Sequence, residues 1–476
     1  MRNFKIYKAL ALCFCLCTFA NCSDNDEAAN DSPGNQPADN YISPVVPNGH
    51  IAVEALQSHT GPFLGEGYDI MGSFLSNASV KGPVLDLNKI GDERITYNKG
   101  TSGDGGRFLG RNMEEFLQSF TKSKEFKVPA ENRNDLLFTN TITEHENFNT
   151  PYDYSSQYSF AFEYSGGKLV IQKLMILSPK WDSWLSDEFR QALEQESPEA
   201  LIERYGTHIL VNAHLGHTVR TLYRSVVADS GNQLLQTITA GLGARRSTII
   251  NYPNVTITYP EETVKKNYGG AIVVSLQGGD YKSLPSIQLT PNEVIGDPII
   301  LTPWINTSNE DTYALTNLSG EDLLPIYEVI TDPIKKQQIK DAVIEHIGSQ
   351  QLPLQKTSPI YQADDGSCHR YHTSFAKLSE KKDVCQGAIG SVFERYEQGT
   401  VPLYLSSTKE YDRLSLTPEE TGIIIGYVYE EWNNGLDCIY EITDGKSFAY
   451  TREQKETYGE KGSWKPTGKC FYTKKI

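Results

Sequence analysis

Three histidines lie close together in one stretch, His208, His214 and His217, and four cysteines fall in the last quarter of the chain, at 368, 385, 438 and 470. These are the residue types best suited to metal binding or nucleophilic chemistry, and their spacing argues against both. On one strand His208 and His214 would share a face and His217 would take the other, with no carboxylate near them in sequence, so the trio does not make a tetrahedral metal set. Gly241-Leu242-Gly243 lacks the rest of a dinucleotide fingerprint and its strand-turn-helix setting. No G-x-S-x-G, H-E-x-x-H or phosphate-binding loop occurs. The chain therefore reads as a non-enzyme, with no catalytic residue, metal or cofactor assigned.

The cysteines instead report on compartment. Arg2, Lys5 and Lys8 precede an uncharged run from Ala9 to Ala20, too short to span a bilayer, which reads as a secretory signal over residues 1–21. Cys22 follows Phe19-Ala20-Asn21, a loose form of the box that precedes the lipid-bearing cysteine of bacterial lipoproteins; plain secretion is the alternative. Ser23-Asp24-Asn25-Asp26-Glu27 resembles the acidic signals of outer-membrane lipoproteins in gut-type Gram-negative bacteria. Residues 22–48 are poor in anything to bury and read as a flexible acidic tether. An exported chain with an even cysteine count predicts two disulfides, with three connectivities open. Cys368–Cys385 and Cys438–Cys470 close the shortest loops.

The whole chain carries 44 Lys+Arg and 60 Asp+Glu, a balance of −16. Removing the three basic residues of the signal leaves 41 against 60, or −19. No nucleic-acid footprint is present, and contact with an anionic surface needs a local patch or a receptor.

The elements that position these residues divide the chain into segments. Residues 49–349 read as one domain, 350–354 as a linker and 355–476 as a β-rich repeat domain. Within the first, Ser197-Pro198 opens a helix that Gly206 ends, and a strand is predicted from Thr207 to about Leu222. Tyr158, Phe160, Phe162 and Tyr164 alternate with Ser159, Ala161 and Glu163, with a turn predicted at Gly166-Gly167 before Leu169 and Ile171. Gly270 to Leu276 forms a further strand. Asp332-Pro333 caps a helix whose apolar face is Ile334, Ile339, Ala342, Val343 and Ile347. Strands and helices without a βαβ rhythm predict an α+β fold with an antiparallel sheet. Two segments interrupt it: 98–150, with Met113, Phe116, Leu117 and Phe120 at helical spacing, and 227–267, which mixes periods. In the last region Ile389–Glu394 recurs as Ile425–Glu430, and Val401–Tyr404 as Asp437–Tyr440, both at an interval of 36. Three such units suggest a compact β domain with pseudo-threefold symmetry, a trefoil or a prism. Trp432 and Trp464 are its candidate stacking platforms for a target's sugar rings or lipid headgroups.

Tyr205-Gly206-Thr207-His208, a hydrophobic residue, six residues and then Gly216 resembles the signature of the membrane attack complex/perforin family. Leu64-Gly65-Glu66-Gly67-Tyr68-Asp69 is similar to the family's N-terminal motif, Gly269-Gly270 precedes the last central strand as in relatives, and Leu324-Pro325-Ile326-Tyr327 resembles the closing element. The resemblance covers about 300 residues in order. It implies a bent four-stranded antiparallel sheet, hinged at Gly269 and Gly270, flanked by two helical clusters that unfurl into membrane-spanning hairpins in pore-forming relatives. The interrupting segments stand where those clusters are expected, and each exceeds the roughly 22 residues a hairpin needs. The expectation is a secreted or surface-exposed outer-membrane protein that oligomerises and forms pores in competing bacteria, its partners a target membrane, glycan or outer-membrane receptor. The alternative is a non-lytic adhesin or glycan-binding protein on the same scaffold.

Overall fold

Tyr158, Phe160, Phe162 and Tyr164 line one face of a strand, and Ser159, Ala161 and Glu163 the other, because side chains alternate across a pleated backbone. Both faces are covered here: the aromatic set enters the main hydrophobic core, whereas Ala161 enters a second, smaller core. This arrangement explains much of the rest of the chain. The structure, a computed structural model, describes residues 50–55, 62–128, 136–145, 158–177, 179–229, 231–251, 259–284, 288–289, 294–295, 297–352, 357–374, 377, 381, 384–418, 422–433, 436–452 and 464–474.

From the N-terminal side come β1 (His50–Ala55), β2 (Glu66–Tyr68), β3 (Val80–Pro83), α1 (Leu87–Ile90) and the long β4 (Ile95–Gly110). Helices α2 (Met113–Lys124) and α3 (Asn140–Thr143) separate it from β5 (Tyr158–Leu174), after which α4 (Trp181–Trp184), α5 (Asp187–Gln195) and α6 (Pro198–Tyr205) lead to β6 (His208–Leu210) and β7 (Asn212–Val227). Then α7 (Gly231–Ser247), β8 (Ile250–Asn251) and α8 (Glu261–Val264) precede β9 (Asn267–Gln277). Short β10 (Gln288–Leu289), β11 (Val294–Ile295) and β12 (Ile299–Ile300), α9 (Thr302–Ile305), β13 (Ala314–Asn317) and β14 (Leu323–Pro325) bring the chain to α10 (Pro333–Ser349).

The central sheet has the order β1-β9-β7-β5-β4, with β13 also on β7. Its four long strands, β4, β5, β7 and β9, are mutually antiparallel, so the α+β architecture expected from the sequence is the one observed. Helical segments connect β4 to β5 and β7 to β9, at the two places where clusters were expected. The first begins later than predicted, because residues 98–110 belong to β4. Its helix α2 buries Met113, Phe116, Leu117 and Phe120, as their spacing predicts.

Two further expectations are corrected. No turn forms at Gly166-Gly167; β5 runs straight through both, paired to Gly103 and Asp104 on one side and to His217 and Thr218 on the other. The strand predicted from Thr207 breaks at Val211, where the amides of Val211 and Asn212 both donate to the Asp322 carbonyl, at 2.9 and 3.3 Å. Before the break β6 belongs to a different sheet, β14-β6-β2-β3. In α10, Asp332 caps the first turn through the Lys335 amide and Ile339, Ala342, Val343 and Ile347 are buried, but Ile334 is exposed. Five residues from Ile339, it is turned well over 90° away from that face.

Small residues let the central sheet bend. Register shifts fall between Lys99 and Ser102 in β4 and between Lys168 and Val170 in β5, and such bulges kink a strand. Beside them the backbones come unusually close: a Cβ on Gly216 would lie 1.9 Å from the Gly167 carbonyl oxygen, and one on Gly278 would lie 2.2 Å from the Gly216 carbonyl oxygen.

The last region forms a nine-stranded sheet with its own core. Its strands are β15 (Thr357–Asp364), β16 (His369–His372), β17 (Val384–Phe393), β18 (Thr400–Ser407), β19 (Asp412–Ser415), β20 (Ile423–Tyr429), β21 (Leu436–Thr443), β22 (Phe448–Thr451) and β23 (Lys465–Lys474). The recurrence appears as three copies of one unit, whose first strands begin at Thr357, Thr400 and Leu436, and in each a strand carries a short hairpin partner on one side and a long third strand on the other. Single pairings, Phe393 with Tyr427 and Tyr429 with Tyr472, join the third strands, and β17 also touches β23. The threefold repetition expected from the sequence is therefore present. Arg370 and Arg413 hold equivalent register positions, opposite Ala363 and Ser406, and each reaches a buried carboxylate of the next unit: Asp412 at 2.9 Å and Glu441 at 2.9 Å.

Cys368, Cys438 and Cys470 are thiols, so the expected pairings are not formed in this structure; the Cys385 side chain lies outside the described residues. For Cys368–Cys385 the topology gives a reason. Strand β15 runs between β16 and β17, and two strand spacings amount to about 9.6 Å, beyond the roughly 7 Å that a disulfide spans. Cys438 faces Tyr472 and Cys470 faces Tyr440 in register, which makes the two thiols diagonal neighbours.

Gly216→Ala is expected to lower stability by at least about 1–3 kcal/mol, the range for overpacking. Gly348→Ala, in helical α10 with open space around it, is expected to be neutral or slightly stabilising. Urea unfolding of both variants checks the contrast.

Candidate functional site

Three of the four motifs, far apart in sequence, meet in the small sheet. Tyr68 pairs with His208 and Gly67 with Ile209 across β2 and β6, while Pro325 and Leu324 pair with His208 and Ile209 across β14 and β6. Helix α6 delivers the signature to this sheet. Ser197 accepts the Ala200 amide at 3.3 Å, Pro198 takes the first helical position, and Gly206 closes the helix at φ 75°, where an L side chain is disfavoured. A Cβ on Gly206 would also meet the Tyr68 carbonyl at 2.6 Å, and one on Gly67 would lie 1.8 Å from the Tyr205 carbonyl oxygen. The motif glycines thus make room for each other's backbones.

Thr207 and His208 then fasten the joint. The Thr207 hydroxyl accepts the Ile70 amide at 3.0 Å, and its own amide donates to the Tyr68 carbonyl at 3.0 Å. His208 is buried, with Nε2 3.0 Å from the Lys127 carbonyl and Nδ1 2.9 Å from the Thr207 hydroxyl. The carbonyl can only accept, so Nε2 carries the proton and Nδ1 accepts from Thr207. Burial pushes the His208 pKa down to about 4. The ring is a neutral structural bridge from the signature to the chain just after α2. Asp69 adds a second tie, 3.1 Å from His346 of α10; burial raises its pKa, but the His346 hydrogen bond and charge hold it below the ordinary carboxylate value.

The other two histidines do not join His208. His214 lies 3.7 Å from Asp322, and His217 stands edge-on to Trp304, ring centroids 5.6 Å apart, opposite Gly167. Burial pushes His217 down to about 4 as well. Among the described residues no group of three or more His, Cys, Asp or Glu could hold a metal ion.

Gly269 and Gly270 sit inside β9 and together oppose Ser225, because Arg224 faces Ala271 and Val226 faces Tyr268. Gly269 has φ 59°, which makes this a bulge of the glycine type. The Gly270 position has no room for a Cβ, which would lie 2.5 Å from the Tyr223 hydroxyl.

The helical covers are held to opposite faces by different means. On the main core face, Phe74 packs against Phe108, Phe120, Phe138, Phe162 and Tyr164 with ring centroids 5.1–5.9 Å apart. Near it, Glu144 accepts from Ser73 at 2.6 Å and lies 3.9 Å from buried Arg220 of β7. On the other face, Ile238 and Leu242 of α7 enter the second core. There Glu163 of β5 accepts from Arg107 of β4 at 2.9 Å and pairs with Arg246 near the end of α7. Burial alone would raise the Glu163 pKa; Arg246 and then Arg107 outweigh it and hold the carboxyl below its ordinary value. Sequence offers no local signal for a pair so far apart in the chain.

Of the candidate target-binding aromatics, Trp432 is 63% exposed and Trp464 packs on His369 at 5.7 Å. Tyr396, not singled out from sequence, is 65% exposed in the equivalent loop. The repeat marked it: Glu394-Arg395-Tyr396 precedes Glu430-Glu431-Trp432 by the same interval of 36. Cys22 and the signal lie outside the described residues. No helix among the described residues is long and apolar enough to cross a membrane, which leaves strands unconstrained.

No family model and no curated protein matches the sequence. Among solved structures, the chain is similar to a protein with a MAC/Perforin domain from Bacteroides thetaiotaomicron, with 18% identity, 66% of this chain and 67% of that one covered, and a TM-score of 0.49. It is also similar to GNIP1Aa from Chromobacterium piscinae, with 16% identity, coverage of 83% and 76%, and a TM-score of 0.46.

Two outcomes are expected. His208 and His217 refuse protons down to about pH 4 when folded but accept them near 6.5 when unfolded. Stability is therefore full above pH 6.5 and falls toward pH 4, by up to about 1.4 kcal/mol per unit for each histidine. Urea midpoints across that range check this, and His217→Phe flattens the slope. Glu163→Gln is expected to speed amide exchange in α7 by at least about tenfold, while the β5 amides hold, as measured by hydrogen-exchange mass spectrometry.

Proposed function

We propose that this chain is a member of the membrane attack complex/perforin family and an exported pore-forming protein. In this reading it oligomerises on a target membrane and inserts two hairpins per subunit. The observation that carries it is the connection pattern: the stretch that carries α2 and α3 and the stretch that carries α7 and α8 each join two adjacent antiparallel strands of one sheet. Extending either segment lengthens a hairpin already begun, with no change in strand order. The alternation in β5 also suits a barrel wall, since one face is aromatic and the other small and polar. A closed barrel satisfies its backbone within lipid, which open hairpins do not.

The rest of the reading follows the sequence. Cys22 carries a lipid that holds the protein at the outer membrane, competing bacteria are the targets, and no enzymatic step is involved. Residues 49–349 act as the pore domain, Gly269-Gly270 as the hinge, and 355–476 as the targeting module, with Trp432 and Tyr396 as exposed platforms for a glycan or receptor. A non-lytic adhesin is the second reading, favoured by Pro253 and Pro260 in the second segment, since proline interrupts a central barrel strand.

The test uses a reversible lock. A Cβ at Gly241 would stand 2.4 Å from the Asn267 Cγ, so Gly241→Cys with Asn267→Cys ties α7 to the start of β9. Dye release from vesicles of target outer-membrane lipid is expected with the reduced form and not with the oxidised form. Binding without release by either form would favour the adhesin.

A further inference from the structure

The chain is acidic overall, yet one cleft in its last region gathers positive charge that nothing pairs. It lies where the first repeat unit meets the second, and its volume of about 490 Å³ is in the range of small-ligand pockets. Arg370 of β16 holds its wall rigid. That guanidinium donates to Asp365 at 2.7 Å, to Asp412 at 2.9 Å, and to the Thr408 and Lys409 carbonyls at 2.8 and 3.1 Å. The arginine and the two carboxylates are committed to one another, so the trio shapes the cleft and leaves recognition to its other groups.

Those groups are of three kinds. Lys377 and Lys381, in the connection from β16 to β17, both line the cleft; both are helical, and a spacing of four sets them on one face. Each is exposed, and no carboxylate among the described residues pairs with either. Thr373 and Ser407 add hydroxyls able to donate and to accept. Ile423, 63% exposed, and Ile425 supply an apolar wall.

The related junction between the second and third units shows what is particular to this one. Its cleft, about 360 Å³, carries Glu430 and Lys469, one charge of each sign, beside the paired Glu441. Repetition therefore accounts for a cleft at a junction, but not for two lysines in it. In a chain of net charge −16 they make a local field that favours an anion.

The three kinds of group together select the ligand. A bare inorganic anion would engage the lysines and leave the isoleucines in water, whereas an acyl chain would cover the isoleucines and strand the lysines and hydroxyls. A sugar ring carries hydroxyls on its edge and C–H groups on its faces, and an acid substituent completes the match. We infer that this cleft is a binding site for an acidic sugar, one bearing a carboxylate or a phosphate, within a surface glycan of the target. Lys377 and Lys381 take the acid group, Thr373 and Ser407 the hydroxyls, and Ile423 and Ile425 pack on the ring face. The inference rests on the reading of residues 355–476 as the targeting module, and it moves recognition away from Trp432: Ile423 begins β20, and Trp432 follows its far end.

The experiment presents the mature protein to an array of uronate-, sialate- and phosphate-bearing oligosaccharides beside their neutral counterparts, with oligoglutamate as a polyanion that is not a sugar. Preference for acidic glycans is expected, weakening as salt is raised. Lys377→Ala with Lys381→Ala is expected to lower that binding at least about tenfold, the cost of losing charge-assisted hydrogen bonds, while Lys377→Arg with Lys381→Arg and Trp432→Ala both retain it. Whether the uronates or the phosphates are bound names the acid. An array without acidic preference overturns the inference, as does an alanine pair that binds like the parent, or oligoglutamate bound as well as the glycans. Binding lost in Trp432→Ala and kept in the alanine pair overturns it too, and leaves the targeting reading in place. Acidic glycans bound through the lysines, with the alanine pair still attaching to target cells as the parent does, uphold the site and remove the targeting reading.

Discussion

Backbone meeting backbone at Gly167, Gly216 and Gly278 is the constraint on which the remainder of the structure depends. A methyl group on Gly216 would stand 1.9 Å from the Gly167 carbonyl oxygen, inside any permitted contact. The absence of side chains there lets β5 and β7 lie close as the sheet bends, and it places His217 against Trp304. The small sheet beside it follows the same rule, with Gly67 and Gly206 admitting the carbonyls of Tyr205 and Tyr68. Close approach of peptide groups, more than any catalytic geometry, is what the signature residues secure. His208 belongs to that economy of space: a neutral ring, buried and committed to two hydrogen bonds, joins the bend to the segment that follows α2.

Burial on both faces is the second organising fact. A strand with aromatic residues on one side and small or charged residues on the other usually leaves the second side in water. Here α7 covers it, and the polar groups on that side are matched: Glu163 is held between Arg107 and Arg246. Removing Arg246 or Glu163 leaves a half-buried charge with less compensation, whereas the trio as a whole, with Arg107 at the surface, adds little net stability. It specifies where α7 docks, beside the burial of Ile238 and Leu242 in the second core. The first cover is held differently, by the aromatic group around Phe74, which is strong in aggregate and indifferent to pH.

The nine-stranded region uses repetition for economy of design. Each unit is too small to enclose a core, and the three share one. Arginines at equivalent positions bridge to buried carboxylates of the neighbouring unit, and Tyr371 and Tyr450 pack edge-to-face across the junction at 5.1 Å. Aromatics inside the module serve packing, and those in the inter-unit loops, Tyr396 and Trp432, remain exposed.

Local rules sufficed for several elements. Ser197-Pro198 and Asp332-Pro333 start helices, the spacing of Met113, Phe116, Leu117 and Phe120 makes one helix face, and the interval of 36 announces two of the three like units. Those readings hold because they depend on backbone chemistry and periodicity within a few residues. The turn at Gly166-Gly167 and the unbroken strand from Thr207 failed for the opposite reason. Glycine is permissive, so its local sequence cannot distinguish a turn from a strand that needs room for a neighbour's backbone, and Val211 breaks its strand only because Asp322 offers a carbonyl to it. The cysteine pairing likewise turned on which strand lies between two others. Residue order alone carried most of the element types and the repeat. Tertiary structure alone decided which edge of the sheet is covered, which charges meet, and which glycines are crowded, because each of these is a contact between residues that only the fold brings together.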